Sequence, residues 1–319
     1  MQMTAALREA SRLLLVAHVA PDGDSLGSLL ALQRGLSELG KSAAVFVPDG
    51  IPAKYRFLPG WEQVVAQSER LPADVDRVVV LDCGEWDRTR LPQPYRHLPT
   101  LNIDHHRTSV GIGEYNLIDP AVAATGELVY KILIALRCTI DAEIATCLYT
   151  AIVSDTGWFR FSNTTADVHR LAAELLQLGA WHEQVNDWLN TRTEEYLQAM
   201  TLVLERIALF AERQAAISWL ELSDLQRIGI AANDIEGLID YPRSLPVVKV
   251  AALLVETSPR TYKVSLRSRH PIDVSQVASE FGGGGHARAA GCTISDAELQ
   301  QAVARVRGVL ERSLGIGTV

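Results

Sequence analysis

"RLLLVAHVAPDGDSLGSLLALQRGLSELG", residues 12–40, decides the fold. Its first part is a short apolar run; its last part places apolar residues at helical spacing and stops at a glycine. A buried run of that length followed by a 3.6-residue period reads as strand, loop and helix. Three more runs, "SAAVFV" (42–47), "RVVVLDCG" (77–84) and "PTLNIDHH" (99–106), read as further buried strands bounded by Pro, Gly or Asp. Strands that are apolar throughout and alternate with helices imply an α/β domain, a parallel sheet with helices on both faces.

Beyond about residue 124 the pattern turns helical, in "TGELVYKILIALR" (125–137), "DAEIATCLYTAIVSDTG" (141–157), "TTADVHRLAAELLQLG" (164–179) and the polar "TRTEEYLQAMTLVLERIALF" (191–210). After it, "QAAISWL" (214–220), "PVVKVAALLVET" (246–257) and "RTYKVSLRSR" (260–269) read as strands, the last showing period-two alternation behind the turn "SPRT". "DVSQVASEF" (273–281) and "DAELQQAVARVRGVLERSL" (296–314) read as helices. The expected organisation is a first domain over 1–190, a helical linker over 191–212 and a smaller mixed α/β domain over 213–319.

The 319-residue chain is 48% hydrophobic and 21% charged, enough for about two ordinary globular domains. Its apolar runs fall far short of the ~20 residues of a membrane span, and the N-terminus lacks the cationic start of a secretory leader. The four cysteines, Cys83, Cys138, Cys147 and Cys292, are scattered with no C-x-x-C pair, so neither a disulfide framework nor a thiolate zinc site is suggested. A cytoplasmic location and no membrane partner are expected. The net charge of −8 is unevenly spread: residues 1–240 carry 20 Lys+Arg against 32 Asp+Glu, residues 241–319 carry 10 against 6. An acidic front suits an anionic substrate where carboxylates hold divalent cations, because the ions then dominate the local field.

Four segments supply such carboxylates. His18, Asp22 and Asp24 follow the first strand, Asp82 ends "VVVLD", Asp104, His105 and His106 end "LNIDHH", and Asp155 lies in "IVSDTG". In an open parallel sheet ligands bind outside the carboxyl ends of the strands, and the first three segments reach that edge. Aspartates crowded there would raise one another's pKa unless cations intervene. Mixed imidazole and carboxylate donors suit manganese, magnesium, iron or cobalt, and six candidate ligands suit two ions sharing a carboxylate, the arrangement used for phosphoester hydrolysis. A lone strand-terminal Asp is ordinarily a turn or cap residue, and "SDTG" alone a helix end; the conjunction of the four segments is what points to metal.

In that order, "HVAPDGDSLGS", "VVLDCG", "IDHHRT" and "SDTGWFRFSNTT" resemble the four motifs of the DHH phosphoesterase family, and "GGGGHARAAG" with "VSLRS" ahead of it resembles the C-terminal DHHA1 domain. The resemblance covers essentially the whole chain. It implies that His18 and Asp22 bind one metal ion and Asp24, His105 and Asp155 a second, with Asp82 bridging. Asp104 would orient a histidine, and His106 would face the phosphate. Two divalent ions, Mn2+ with Mg2+ or Co2+ as alternatives, are the implied cofactors.

The short two-domain form resembles the nanoRNase and pAp-phosphatase type. That implies hydrolysis of short RNA oligonucleotides and linear dinucleotides such as pApA, and of 3'-phosphoadenosine 5'-phosphate (pAp) to AMP, by metal-activated water, in a homodimer. Arg107, Arg160 and Arg267 are candidates for phosphate or base contacts, since guanidinium is a planar, permanently charged fork. The run "GGGGH" lets backbone N–H groups approach an anion, so Gly283, Gly284, Gly285, His286 and Arg288 are expected to grip substrate across a cleft from the metal site. No Lys-Ser/Thr follows the glycines, which excludes a nucleotide P-loop. A serine nucleophile finds no G-x-S-x-G elbow. The rival readings are a cyclic di-AMP phosphodiesterase, a single-strand exonuclease, an inorganic pyrophosphatase or polyphosphatase, and a nucleotide-sensing or RNA-binding module without catalysis.

Overall fold

The run RLLLV forms strand β1 (Arg12–Val16) of the computed structural model, which describes residues 2–235 and 237–316. The later apolar runs give β2 (Ser42–Phe46), β4 (Arg77–Leu81) and β5 (Thr100–Asp104), with short β3 (Val64–Val65) and β6 (Tyr115–Ile118) at the edges. Their order is β3-β2-β1-β4-β5-β6, every ladder parallel. From β1 the chain runs outward to β2 and β3, then returns to lay β4 on the other flank of β1 and runs outward again. The strand order therefore reverses between β1 and β4, and at such a switch point the loops leaving the carboxyl ends diverge and open a crevice.

Side chains of successive strand residues point to opposite faces. Leu13, Leu15, Val79, Leu81, Leu101 and Ile103 join the core under the helices Gly23–Glu38, Thr125–Leu136 and Ala142–Asp155. Leu14, Val16, Val78 and Val80 pack on the other face with Leu71, Val75 and Leu91. The expected cover on both faces is present, but the second is thinner, built from loops and the short helices Trp86–Thr89 and Gln93–Arg96.

Two glycines set the spacing of the first cover. A Cβ at Gly27 would overlap the carbonyl oxygen of Cys147, and one at Gly23 would come within 2.7 Å of Ser154. The helices Gly23–Glu38 and Ala142–Asp155 thus touch backbone to backbone, which carries the start of one to the end of the other.

The chain divides into two compact units at Thr191 and Arg192. In the second, β7 (Ala208–Phe210), β8 (Ala215–Leu220), β9 (Val250–Ser258), β10 (Thr261–Ser268), β11 (Gly284–His286) and β12 (Ala289–Ile294) form a mixed sheet of order β11-β12-β10-β9-β8-β7. β8 and β9 pair in parallel and the other ladders are antiparallel. The helices Val274–Ser279 and Leu299–Ser313 cover one face; Glu194–Glu205 and Leu222–Ile228 contribute to the core on the other.

The polar stretch read as one helix over 191–210 divides. Thr193 caps a helix that ends at Glu205, and Ala208–Phe210 is a strand that buries Phe210 beside β8. The helix itself packs on β8 through the buried residues Tyr196, Ala199 and Val203.

Candidate metal centre

Every residue of the expected ligand set lies in the first unit, at an element end. His18 follows β1, Asp82 directly follows β4, and Asp104 is the last residue of β5 with His105 and His106 next in line. Asp22 caps the helix Gly23–Glu38, accepting from the Ser25 N–H at 3.0 Å, and Asp24 sits in its first turn. Asp155 is the last residue of the helix Ala142–Asp155. The backbone approach at Gly27 brings those two helix ends together.

Asp82 is the hinge of the cluster. Its backbone lies at φ 57°, in the left-handed region that Asp tolerates better than most residues. Its Oδ2 faces His18 Nε2 at 3.7 Å, and its Oδ1 faces His105 Nε2 at 3.6 Å and accepts from the Thr125 hydroxyl at 2.9 Å. One carboxylate thus serves two groups of donors. The ligand atoms of His18, Asp22 and Asp82 lie within 4.8 Å of one another, and so do those of Asp24, Asp82 and His105. Asp155 Oδ2 lies 3.2 Å from His105 Nε2 and Asp24 Oδ2 lies 3.6 Å from it, so three carboxylates converge on one imidazole nitrogen.

That convergence is untenable among unprotonated groups. Burial, with the charges of Asp82 and Asp155, pushes the Asp22 carboxyl up to about 6 and the Asp24 carboxyl well above the ordinary range. Burial alone would lower His105, but the Asp155 contact and the charges of Asp24, Asp155 and Asp82 raise it to about 11. Burial opposes ionisation of Asp82 too; the bond to His18 and the neighbouring histidines override it and hold Asp82 well below the usual carboxylate range. Divalent ions would neutralise the same carboxylates without protonating the imidazoles, and the donor set of oxygens and imidazole nitrogens fits them.

Hydrogen bonds set the tautomers. His18 Nδ1 lies 2.7 Å from the Val19 carbonyl oxygen, a contact favourable only if Nδ1 carries the proton, which leaves the Nε2 lone pair toward Asp82. A ligating histidine ordinarily donates its other N–H in this way. Asp24 is locked by the Thr125 and Gly126 N–H groups at 2.6 and 3.0 Å, the first donors of the helix Thr125–Leu136, and by Ser28. Asp104 Oδ1 accepts from the His105 and His106 N–H groups and from His106 Nδ1 at 2.7 Å, so the histidine it orients is His106. His106 is half-buried.

Sequence reasoning missed two participants. Thr125 reads as an ordinary helix start, yet its hydroxyl and N–H hold two of the carboxylates. Arg88, six residues past Asp82, places Nη2 3.0 Å from His18 Nδ1 and lines a small polar pocket with His106, Thr108 and Ser109. Only the positions of the strand-end motifs in space, not their spacing in sequence, reveal it.

Among the expected substrate residues of this unit, Arg107 is exposed, and Arg160 is exposed and donates to the Gly157 carbonyl oxygen at 2.7 Å. In the second unit the glycine run is part of a β-hairpin: Gly284, Gly285 and His286 pair with Gly291, Ala290 and Ala289 across the two-residue turn Ala287-Arg288. A Cβ at Gly283 would overlap the Gly291 carbonyl oxygen, so this glycine is there to let the strands touch. At Gly284 a Cβ would meet nothing within 4 Å. The Arg288 guanidinium donates to the Ile272 carbonyl oxygen, tying the turn to the segment before the helix Val274–Ser279, and Arg267 is half-buried on β10, donating to the Leu266 carbonyl at 3.0 Å.

Residues 12–152 match the DHH family, N-terminal domain, and residues 214–312 match the DHHA1 domain. The chain is 36% identical over 300 residues to the bifunctional oligoribonuclease and PAP phosphatase NrnA of Thermus thermophilus, covering 94% of this chain and 89% of that one. It is 24% identical to the protein of the same name from Bacillus subtilis, covering 88% and 89%. In three dimensions it resembles the crystal structure of an exopolyphosphatase-related protein from Bacteroides fragilis, with a TM-score of 0.91 at 26% identity over 99% of this chain and 96% of that one.

Proposed function

The chain belongs to the DHH family, and from that premise we propose that it is a metal-dependent hydrolase of short oligoribonucleotides, of dinucleotides such as pApA and of pAp. The observation that carries the reading is the Asp82 carboxylate, whose two oxygens face two separate groups of donors. His18, Asp22 and Asp82 would hold one divalent ion; Asp24, His105 and Asp155 would hold a second together with Asp82. When bound, such ions activate water for attack on phosphorus and offset charge on the phosphoryl oxygens. Mn2+ is the assigned ion, with Mg2+ and Co2+ as alternatives, because the donors are hard oxygens mixed with imidazoles.

The chain's own groups supply positioning. Val19, Thr125 and Asp104 fix the orientation of His18, Asp82 and His106 before substrate arrives. His106, its Nδ1 proton held by Asp104, offers Nε2 to a phosphoryl or leaving-group oxygen. Arg107 and Arg160, both exposed, and in the second unit Arg267, Gly283 and the strand Gly284–His286 are assigned to further phosphates or the base. Arg288, already bonded to Ile272, serves by holding the hairpin turn.

A cytoplasmic location is assigned; all four cysteines are buried thiols. Among the described residues no helix is long and apolar enough to cross a membrane. A homodimer through the helical part of the first unit is assigned as well; Leu176 and Leu178, 41% and 38% exposed, are the apolar groups it would cover.

The reading is tested by incubating the protein with pApA and pAp in Mn2+, with and without chelator, beside Asp82→Ala. Turnover that chelator and the substitution both abolish is expected; binding without turnover would point to a sensing module. Faster hydrolysis of pyrophosphate or of long single strands would move the assignment to those rivals. His286→Ala is expected to raise KM with the Mn2+ requirement unchanged.

A further inference from the structure

We propose that Arg88 is a substrate-binding residue that grips a non-bridging oxygen of the phosphoryl group undergoing hydrolysis; the inference rests on the hydrolase reading above. Arg88 sits in the short helix Trp86–Thr89, whose backbone is tied to the loop after β1 by the Val19 N–H donating to the Arg88 carbonyl oxygen at 2.8 Å. Its guanidinium is half-buried, with Nη2 3.0 Å from His18 Nδ1. The same Nδ1 lies 2.7 Å from the Val19 carbonyl oxygen, and one Nδ1 cannot both donate to Val19 and accept from Arg88, so the two contacts compete and His18 is a poor partner for the arginine. Among the described residues no carboxylate pairs with it, although aspartates crowd the neighbouring cluster. A half-buried guanidinium without a carboxylate partner, beside a site read as acting on phosphate esters, is an acceptor's docking point.

The surroundings agree. Arg88 lines one pocket with Gly84, Glu85, His106, Thr108 and Ser109. Thr108 and Ser109 add hydroxyl donors, and the one acid, Glu85, is exposed. The pocket adjoins the Asp82 carboxylate from two sides. His106 Nδ1 lies 3.6 Å from Asp82 Oδ1, and His18, which Arg88 touches, lies 3.7 Å from Asp82 Oδ2. An oxygen held between Arg88 and His106 therefore belongs to the group that meets Asp82, and not to a phosphate one nucleotide away.

The test compares wild type with Arg88→Ala and Arg88→Lys, each loaded with Mn2+. Inorganic phosphate stands in for the reacting group. It is expected to raise the wild-type melting temperature and to inhibit pAp hydrolysis, and both effects should be lost in Arg88→Ala. The kcat should fall about 100-fold, as for loss of one oxyanion donor, and recover in part in Arg88→Lys or on adding guanidinium ion. Mn2+ affinity, measured by titration calorimetry, should change less than about twofold if Arg88 acts on substrate and not through His18. Unchanged kinetics and phosphate response in Arg88→Ala would overturn the assignment. So would a large loss of Mn2+ affinity, which would make Arg88 a positioning residue for His18, or a raised KM with intact phosphate inhibition, which would place it on another phosphate. Failure of the wild type to hydrolyse any nucleotide would sink the hydrolase reading instead, and the phosphate-induced shift would still test Arg88.

Discussion

Asp104 holds His106: one carboxylate oxygen accepts from the His106 ring Nδ1 at 2.7 Å and from its backbone N–H at 3.1 Å. Burial pulls the His106 pKa down, but the bond to Asp104 and the charge of Asp82 outweigh it and raise the ring above its ordinary value. In Asp104→Asn the charge is gone and the tautomer is no longer dictated. The kcat is expected to fall by between ten- and a thousandfold, since loss of an orienting carboxylate of this kind is costly, while Mn2+ affinity stays close to wild type. If His106 donates a proton, activity fades as pH rises through its pKa. The variant's lower pKa then moves that limb of the pH–rate profile toward acid. A limb at the wild-type position would remove His106 from proton transfer.

Gly27 is where packing reaches the chemistry. An alanine there overlaps the Cys147 carbonyl oxygen, so the helices Gly23–Glu38 and Ala142–Asp155 must separate. Overpacking of this kind costs about 1–3 kcal/mol, a fall of several degrees in melting temperature. Because Asp24 and Asp155 ride on the ends of those helices, Mn2+ affinity should fall with it. Gly40→Ala, at a glycine whose added Cβ meets nothing within 4 Å, is the control for substitution as such: some loss of stability from its φ of 73°, none of metal affinity.

Much of this was legible because buried parallel strands announce themselves. "RLLLV", "SAAVF", "RVVVL" and "TLNID" are apolar enough to be read without neighbours, and the ligand-type residues follow them directly. The edge strands β3 and β6 carry no such signal, being two and four residues long and half-exposed. The hairpin at 284–291 was hidden for the opposite reason: a glycine run looks like a loop until one sees that Gly283 lies on the Gly291 carbonyl. Arg88 and Thr125 escaped because their roles depend on which loops meet at the sheet edge. Spacing along the chain does not encode that meeting.

In the second unit, Asp224 anchors the end of the helix Glu194–Glu205. Arg206 donates to both its oxygens, with Nη2 to Oδ1 at 3.1 Å, and the Glu221 N–H donates to it at 2.9 Å. Burial opposes the charge, but these bonds hold the Asp224 carboxyl below its ordinary value. A depressed carboxyl stabilises the fold above its unfolded pKa of about 4 and loses that contribution as pH falls through the lower folded value. Asp224→Asn should therefore cost about 1–3 kcal/mol at neutral pH, and its deficit relative to wild type should shrink in urea melts carried below about pH 4. A deficit independent of pH would assign the loss to packing.

Asp155 offers the sharpest separation of metal binding from folding. Its carboxylate stands at the carboxyl end of a helix, where the macrodipole already presents negative charge, and it shares the His105 nitrogen with Asp24 and Asp82. Without a cation, repulsion from Asp24, Asp82 and the helix end is set against its 3.2 Å contact with the His105 imidazole. Asp155→Asn removes that repulsion but also a donor of the second group. Because the relieved repulsion and the weakened His105 contact oppose each other, the chelated variant is expected to melt within a few degrees of the chelated wild type, at about 4 °C for each kcal/mol of difference. Added Mn2+ should do less for it. At a concentration 100 times the wild-type Kd the ion stabilises by about 2.7 kcal/mol, and a tenfold weaker site would retain about 1.4. Scanning calorimetry of both proteins with and without Mn2+ gives all four numbers. A chelated variant that melts several degrees below wild type would show that Asp155 supports the fold through His105 rather than waiting for metal.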